Sequence, residues 1–180
     1  ENLSLPTPFA RALSVALPLA AALPVPAQDA DGIGIGTVTG TLDLDDARWV
    51  IAGAGETAST WREEDGTLEI RLVATPDAGG VTDAGTLTID ITADAGATEA
   101  SVTSARVEMQ GDGRAYIAGP ENVDLSLTAV APEGSDLALA GSLQATMTPG
   151  GAEGLVIETQ AGRTLDGNFQ ATVPGEGAVN

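Results

Sequence analysis

The sequence contains no cysteine, no histidine and no lysine. Without cysteine there are no disulfides, no thiolate metal ligands and no thiol to carry a bacterial lipoprotein anchor. Without histidine the usual zinc sites and every Ser-His-Asp triad are excluded, and without lysine no second base replaces the imidazole. Aromatic residues are scarce: Phe9, Trp49, Trp61, Tyr116 and Phe169 are the full set among 180 residues. A core built from this chain must therefore be aliphatic, drawn from Leu, Ile, Val and Ala. All positive charge comes from seven arginines, against 26 acidic residues, and the formal net charge is −19. Such a surface repels phosphate backbones and anionic lipid, which argues against nucleic acid and peripheral membranes as partners. It also suits salty surroundings, where screening weakens self-repulsion.

What is present begins with a leader. Arg11 precedes an apolar stretch from Ala12 to Val25. Small residues then occupy the positions a signal peptidase reads, Val25-Pro26-Ala27, ahead of a polar Gln28-Asp29-Ala30-Asp31. This is the pattern of a secretory signal peptide over residues 1–27, cleaved after Ala27. The stretch is too short to span a bilayer, and Pro18 and Pro24 interrupt it. The expected organisation is a leader (1–27), a linker (28–34) and one β domain (35–180), located in the periplasm or outside the cell. No membrane insertion is expected once the leader is gone.

The domain reads as strands throughout. Its clearest stretch is Leu139 to Pro149, where Leu139, Gly141, Leu143, Ala145 and Met147 alternate with polar residues. The pattern returns at Leu165 to Pro174, with Leu165, Gly167, Phe169, Ala171 and Val173 on one face. Period-two alternation is the signature of a strand with one dry and one wet face. Similar segments run over 35–44, 48–54, 59–63, 67–75, 86–92, 101–110, 114–118, 123–130 and 155–160. Turns are expected at Asp45-Asp46, Asp65-Gly66, Gly111-Asp112-Gly113 and Ala161-Gly162. About ten short strands with no capped helical pattern predict an antiparallel β-sandwich, or alternatively a flattened β-barrel. Gly40, Gly141 and Gly167 interrupt strand interiors. Either they make room for a large ring, with Trp49 or Trp61 covering one of them, or they are bulges that curve the sheet.

Few residues invite chemistry. Gly141-Ser142-Leu143 lacks the second glycine of a nucleophile elbow. The Gly32, Gly34, Gly36 run precedes a strand, so it offers no helix N-terminus to a phosphate. Paired acids serve glycosidases, but carboxylates are so common here that nearness in sequence selects none. Calcium is the one cofactor to weigh, since it takes six to eight oxygens from loop carboxylates and carbonyls. The clusters are Asp29 with Asp31, Glu63-Glu64-Asp65, and the preferred one, Asp43 with Asp45 and Asp46. Trp49, Trp61 and Tyr116 are the candidate ligand-contacting surface.

The stretch TGTLDLDDARW, the leader and the closing strand together resemble a loose group of small exported bacterial all-β proteins of uncharacterised function. The shared features are T-x-T-L-D at Thr39 to Asp43, a tryptophan soon after at Trp49, and G-x-F-x-A-T at Gly167 to Thr172. That resemblance implies fold and export but transfers no activity. The expected function is a non-catalytic structural or binding module, its partner an envelope protein or a glycan, with edge-strand association as a further mode. The alternatives are a calcium-dependent carbohydrate-binding or adhesive module and a hydrolase using an acid pair.

Overall fold

A computed structural model describes residues 34–53, 58–78, 84–95, 100–111, 113–150 and 162–176. The expected leader and the expected strand at 155–160 lie outside the described residues. The described residues form ten strands: β1 (Gly34–Leu42), β2 (Asp45–Ala52), β3 (Thr60–Glu64), β4 (Thr67–Pro76), β5 (Thr86–Ala95), β6 (Ala100–Gly111), β7 (Arg114–Ala118), β8 (Val123–Glu133), β9 (Asp136–Pro149) and β10 (Arg163–Pro174). A short 3-10 turn, Pro120–Asn122, joins β7 to β8.

Every ladder is antiparallel, and the pairings return on themselves through β10 with β1 and β10 with β9. Two strands are interrupted. β2 and β3 lie in succession along β4, and β7 and β8 lie in succession along β9. Counting each pair as one, the chain passes round the ring in sequence order, up and down. A ring of this kind combines the facing walls of a sandwich with the closed strand order of a barrel.

The interior is aliphatic, as the composition requires. Leu42, Ile51, Leu72, Leu87, Ile89, Ile91, Leu137, Leu143 and Leu165 are fully enclosed, with Met109, Met147 and Trp49 among them. Where the two strand interruptions break the ladder, other groups take over. Ala52 and Ser59 close the gap between β2 and β3 by a backbone hydrogen bond of 2.9 Å. The buried Ser59 hydroxyl accepts from the Val73 amide at 2.9 Å, replacing a strand partner that β4 lacks at that point. At the end of β10, Glu176 donates to the Trp61 carbonyl and Trp61 Nε1 donates to Ser135. This ties the chain end to β3 and to the β8–β9 turn.

Three expectations need correction. The first strand is expected to run to Leu44, with the turn at Asp45-Asp46. Instead β1 stops at Leu42, Asp43 and Leu44 form the turn, and Asp45 and Asp46 open β2. The ring expected over an interior glycine is not a tryptophan. A Cβ on Gly141 would meet Phe169 Cζ at 2.5 Å, from the residue directly opposite on β10. Gly40 and Gly167 face each other across β1 and β10, and there the nearest atoms are backbone, so these glycines permit a close approach of two chains. Gly40 and Gly167 are not at bulges either: the register shifts fall at Gly34/Gly36, Thr92/Ala93 and Leu127/Ala129, and only the last, opposite Gly141, touches one of the three glycines.

Candidate functional site

The β1–β2 turn carries the most unusual residue of the fold. Asp43 and Leu44 take φ of +54° and +79° between the paired Leu42 and Asp45. Positive φ at both central positions is the type I′ signature, in which Asn-Gly or Asp-Gly is favoured. Aspartate tolerates this region; leucine does not, and its Cβ crowds the following carbonyl. Leu44 is also 90% exposed, the one large hydrophobic side chain so placed among the described residues. Neither burial nor local geometry explains a leucine here.

The turn keeps its shape because Asp43 is clamped. Its carboxylate accepts from Arg163 Nε at 2.6 Å and from the Thr164 amide at 2.7 Å, while the Asp43 amide donates to the Thr164 carbonyl at 2.8 Å. The Arg163 side chain is only 13% exposed and lies over the Tyr116 ring, 5.9 Å from its centroid. One carboxylate thus joins the β1–β2 turn to β10, and the guanidinium carries the link on to β7.

Beside this turn an open groove of about 540 Å3 runs over the outer face of the ring. Leu44 and Thr41 stand on one bank, Glu121 to Asp124 on the other, and Gln144, Thr146 and Asp166 form the floor. The registers align Asp46, Thr41, Asp166, Gln144 and Asp124 in one row across β2, β1, β10, β9 and β8. Acids therefore alternate with neutral groups, and Gln144 donates to Asp166 at 3.0 Å.

The opposite wall is organised differently. Thr60, Arg71, Asp90 and Arg106 form a row across β3 to β6. A groove of about 350 Å3 lies there, lined in part by Trp61, Arg62, Glu69, Arg71, Asp90 and Glu176. Its carboxylates have arginine partners: Arg62 Nε donates to Glu69 at 2.7 Å, Arg62 Nη1 lies 3.9 Å from Glu176, and Arg71 lies 3.9 Å from Asp90. The hydrogen bond and charge of Glu69 push Arg62 above its ordinary value. Nearby, the Gln110 amide, with Arg106 assisting, holds Glu108 below the usual carboxylate range against the opposing effect of burial. A general acid needs the reverse displacement.

The residues singled out from sequence fare unequally. Of the calcium candidates, Asp43 has its carboxylate occupied by Arg163 and Thr164, while Asp45 and Asp46 are exposed on β2. The described residues contain no cluster of three or more acids placed to hold a metal. Trp49 is fully enclosed, its Nε1 donating to the Gly85 carbonyl at 2.9 Å, so it belongs to the core and not to a ligand surface. Trp61 and Tyr116 are half-buried and lie in different parts of the ring. Leu44, Arg163 and Ser59 escaped notice. The available signal is Asp43, an acid that tolerates positive φ, although Leu44 and not the glycine favoured in a type I′ turn follows it.

Compared with protein-family models, with curated proteins and with solved structures, the chain finds no match.

Proposed function

We propose that this protein is a non-catalytic binding or structural module that works in the envelope or the extracellular space, and that the β1–β2 turn with its groove is the contact surface. The observation that carries the reading is Leu44. A strained, solvent-facing leucine held in place by a buried-side clamp costs folding stability, and strain of this kind persists where it serves a contact. The groove beside it offers hydroxyl, amide and carboxylate groups, which suits a polar partner gripped at one apolar point. The neutralised carboxylates of the opposite groove count against an acid-pair hydrolase, because facing carboxyls tied to arginines neither share a proton nor attack. The acidic exterior argues against nucleic acid.

The test uses the purified protein and envelope and culture-medium fractions of an exporting bacterium. Retention of the wild type on one fraction, abolished by Leu44→Asp but not by Thr88→Asp on the opposite wall, supports the reading. Equal retention of both variants, or turnover of glycoside or ester substrates, overturns it. Export is tested separately by N-terminal analysis of protein recovered outside the cytoplasm. A mature chain beginning near Gln28 is expected, and one still carrying Val15 to Leu23 contradicts export through a cleaved leader.

A further inference from the structure

The ring has one weak boundary among the described residues. β6 and β8 run side by side, with Cα–Cα separations within 8 Å, yet no ladder joins them. β7 pairs with both β6 and β9 at one end of this boundary; past the 3-10 turn, β8 pairs with β9 alone. Among the described residues, the backbone donors and acceptors on the facing edges, from Ala100 to Arg106 of β6 and along β8, therefore have no strand partner. Both strands carry a bulge here, Thr103 in β6 and Thr128 in β8, and bulged strands twist away from their neighbours. Val102, Leu127 and Val130 are only partly buried although they pack on the core.

We infer that this seam accepts an extended, cationic polypeptide segment as an added strand. Two unladdered edges call for an occupant with its own backbone N–H and C=O groups, which an extended chain has and a lipid or a sugar lacks. Charge selects the sign. Asp124 and Glu133 are exposed on β8 and Glu121 on the adjoining turn; the one cation on the facing β6 edge, Arg106, is paired with Glu108 at 3.3 Å, and the whole chain carries −19. A second copy of this chain meets that field with like charge, whereas a segment bearing arginine or lysine is drawn to it. Alternate small apolar residues of the segment would cover Val102, Leu127 and Val130. Two strand spacings amount to roughly 10 Å, so β8 must swing outward by a few ångströms, a motion its single ladder permits.

The inference rests on the binding-module reading, and its seam adjoins the Leu44 groove, whose far bank, Glu121 to Asp124, leads into β8. Three nine-residue peptides test it: alternating Val/Arg, alternating Val/Glu, and Val/Arg with N-methyl groups on alternate amides. Binding is measured by calorimetry and mapped by amide shifts and hydrogen exchange on the 15N-labelled protein. The Val/Arg peptide is expected to protect the 100–106 and 123–133 amides, with N-methylation weakening it at least tenfold and Val/Glu not binding. Equal binding of the methylated peptide indicates electrostatic coating and overturns the inference. So does protection elsewhere, the absence of binding, or dimerisation of the protein through the same amides. A silent seam with Leu44-dependent retention intact sinks this inference alone. Substrate turnover sinks the module reading whatever the seam does.

Discussion

At the scale of single residues, two side chains make opposite bargains with the backbone. Leu44 holds a left-handed conformation that costs an L-residue about 1–2 kcal/mol, and its exposure returns nothing in burial. Glycine removes that strain but adds roughly 0.5–1 kcal/mol of unfolded-state freedom. Leu44→Gly is therefore expected to stabilise the fold by about 0.5–1 kcal/mol, a rise in Tm of a few degrees. Thermal melts check this, and a fall in Tm would mean that Leu44 has a packing role its exposure conceals. Ser59 does the reverse. Its hydroxyl is buried, and it supplies the acceptor for the Val73 amide where the β2–β3 interruption leaves none. Ser59→Ala strands a buried N–H, which costs about 1–3 kcal/mol. Urea titration should show a lower midpoint at unchanged slope, and faster exchange of the Val73 amide should accompany it.

At the scale of elements, the interior pairings decide which strands tolerate change. Phe169 of β10 lies over Gly141 of β9, and the Ser126 carbonyl of β8 also crowds that position. Adding a methyl group there overpacks the site, with a cost of about 1–3 kcal/mol. Gly141→Ala should be less costly when combined with Phe169→Leu, which removes the ring's share of the clash, but not costless, because the Ser126 carbonyl is backbone and still crowds the methyl. A double-mutant cycle in urea reads this coupling, and additive effects would refute the contact. The same pair shows what the sequence discloses and what it hides. Alternation at 139–149 and 165–174 announces both strands, and the Asp65-Gly66 hairpin sits where its turn chemistry puts it, with φ of +52° and +80°. Which ring covers which glycine depends on the register between strands, and no local pattern encodes register. The uneven alternation over 101–110 has a similar origin. Thr103 is an extra residue, so the inward face passes from Ala105 to Val102 and Ala100. A bulge shifts parity by one and hides a true strand from a period-two reading. The Asp43 clamp was invisible for another reason: its partners lie 120 residues away.

At the scale of the whole molecule, charge and not packing sets the response to solution conditions. Across the β2-β1-β10-β9-β8 wall, Asp46, Asp166 and Asp124 recur on alternate strands with neutral residues between them. Strands about 4.8 Å apart put these carboxylates on the order of 10 Å from one another. That distance is close to the Debye length at about 0.1 M salt, far inside the roughly 30 Å of 0.01 M, and well beyond the roughly 3 Å of 1 M. Repulsion along the wall is therefore strong in dilute buffer and nearly gone in concentrated salt. The opposite wall responds in the other direction, since screening weakens Arg71–Asp90 and Arg106–Glu108. Exposed pairs of that kind contribute about 0–1 kcal/mol each, and they work against the self-repulsion of a net charge of −19. Tm is expected to rise with NaCl, most steeply below about 0.3 M, and KCl should act alike because screening does not distinguish the cation. Calcium at matched ionic strength separates screening from binding: a site occupied only in the folded state adds RT ln(1 + [L]/Kd) beyond the NaCl curve. With the Asp43 carboxylate engaged by Arg163 and Thr164, the calcium and NaCl curves should coincide once ionic strength is equal. An excess Tm in calcium, removed by chelator, would return the acidic turns to consideration as ligands; a Tm that falls with NaCl would show that the paired wall governs stability instead of the acidic one.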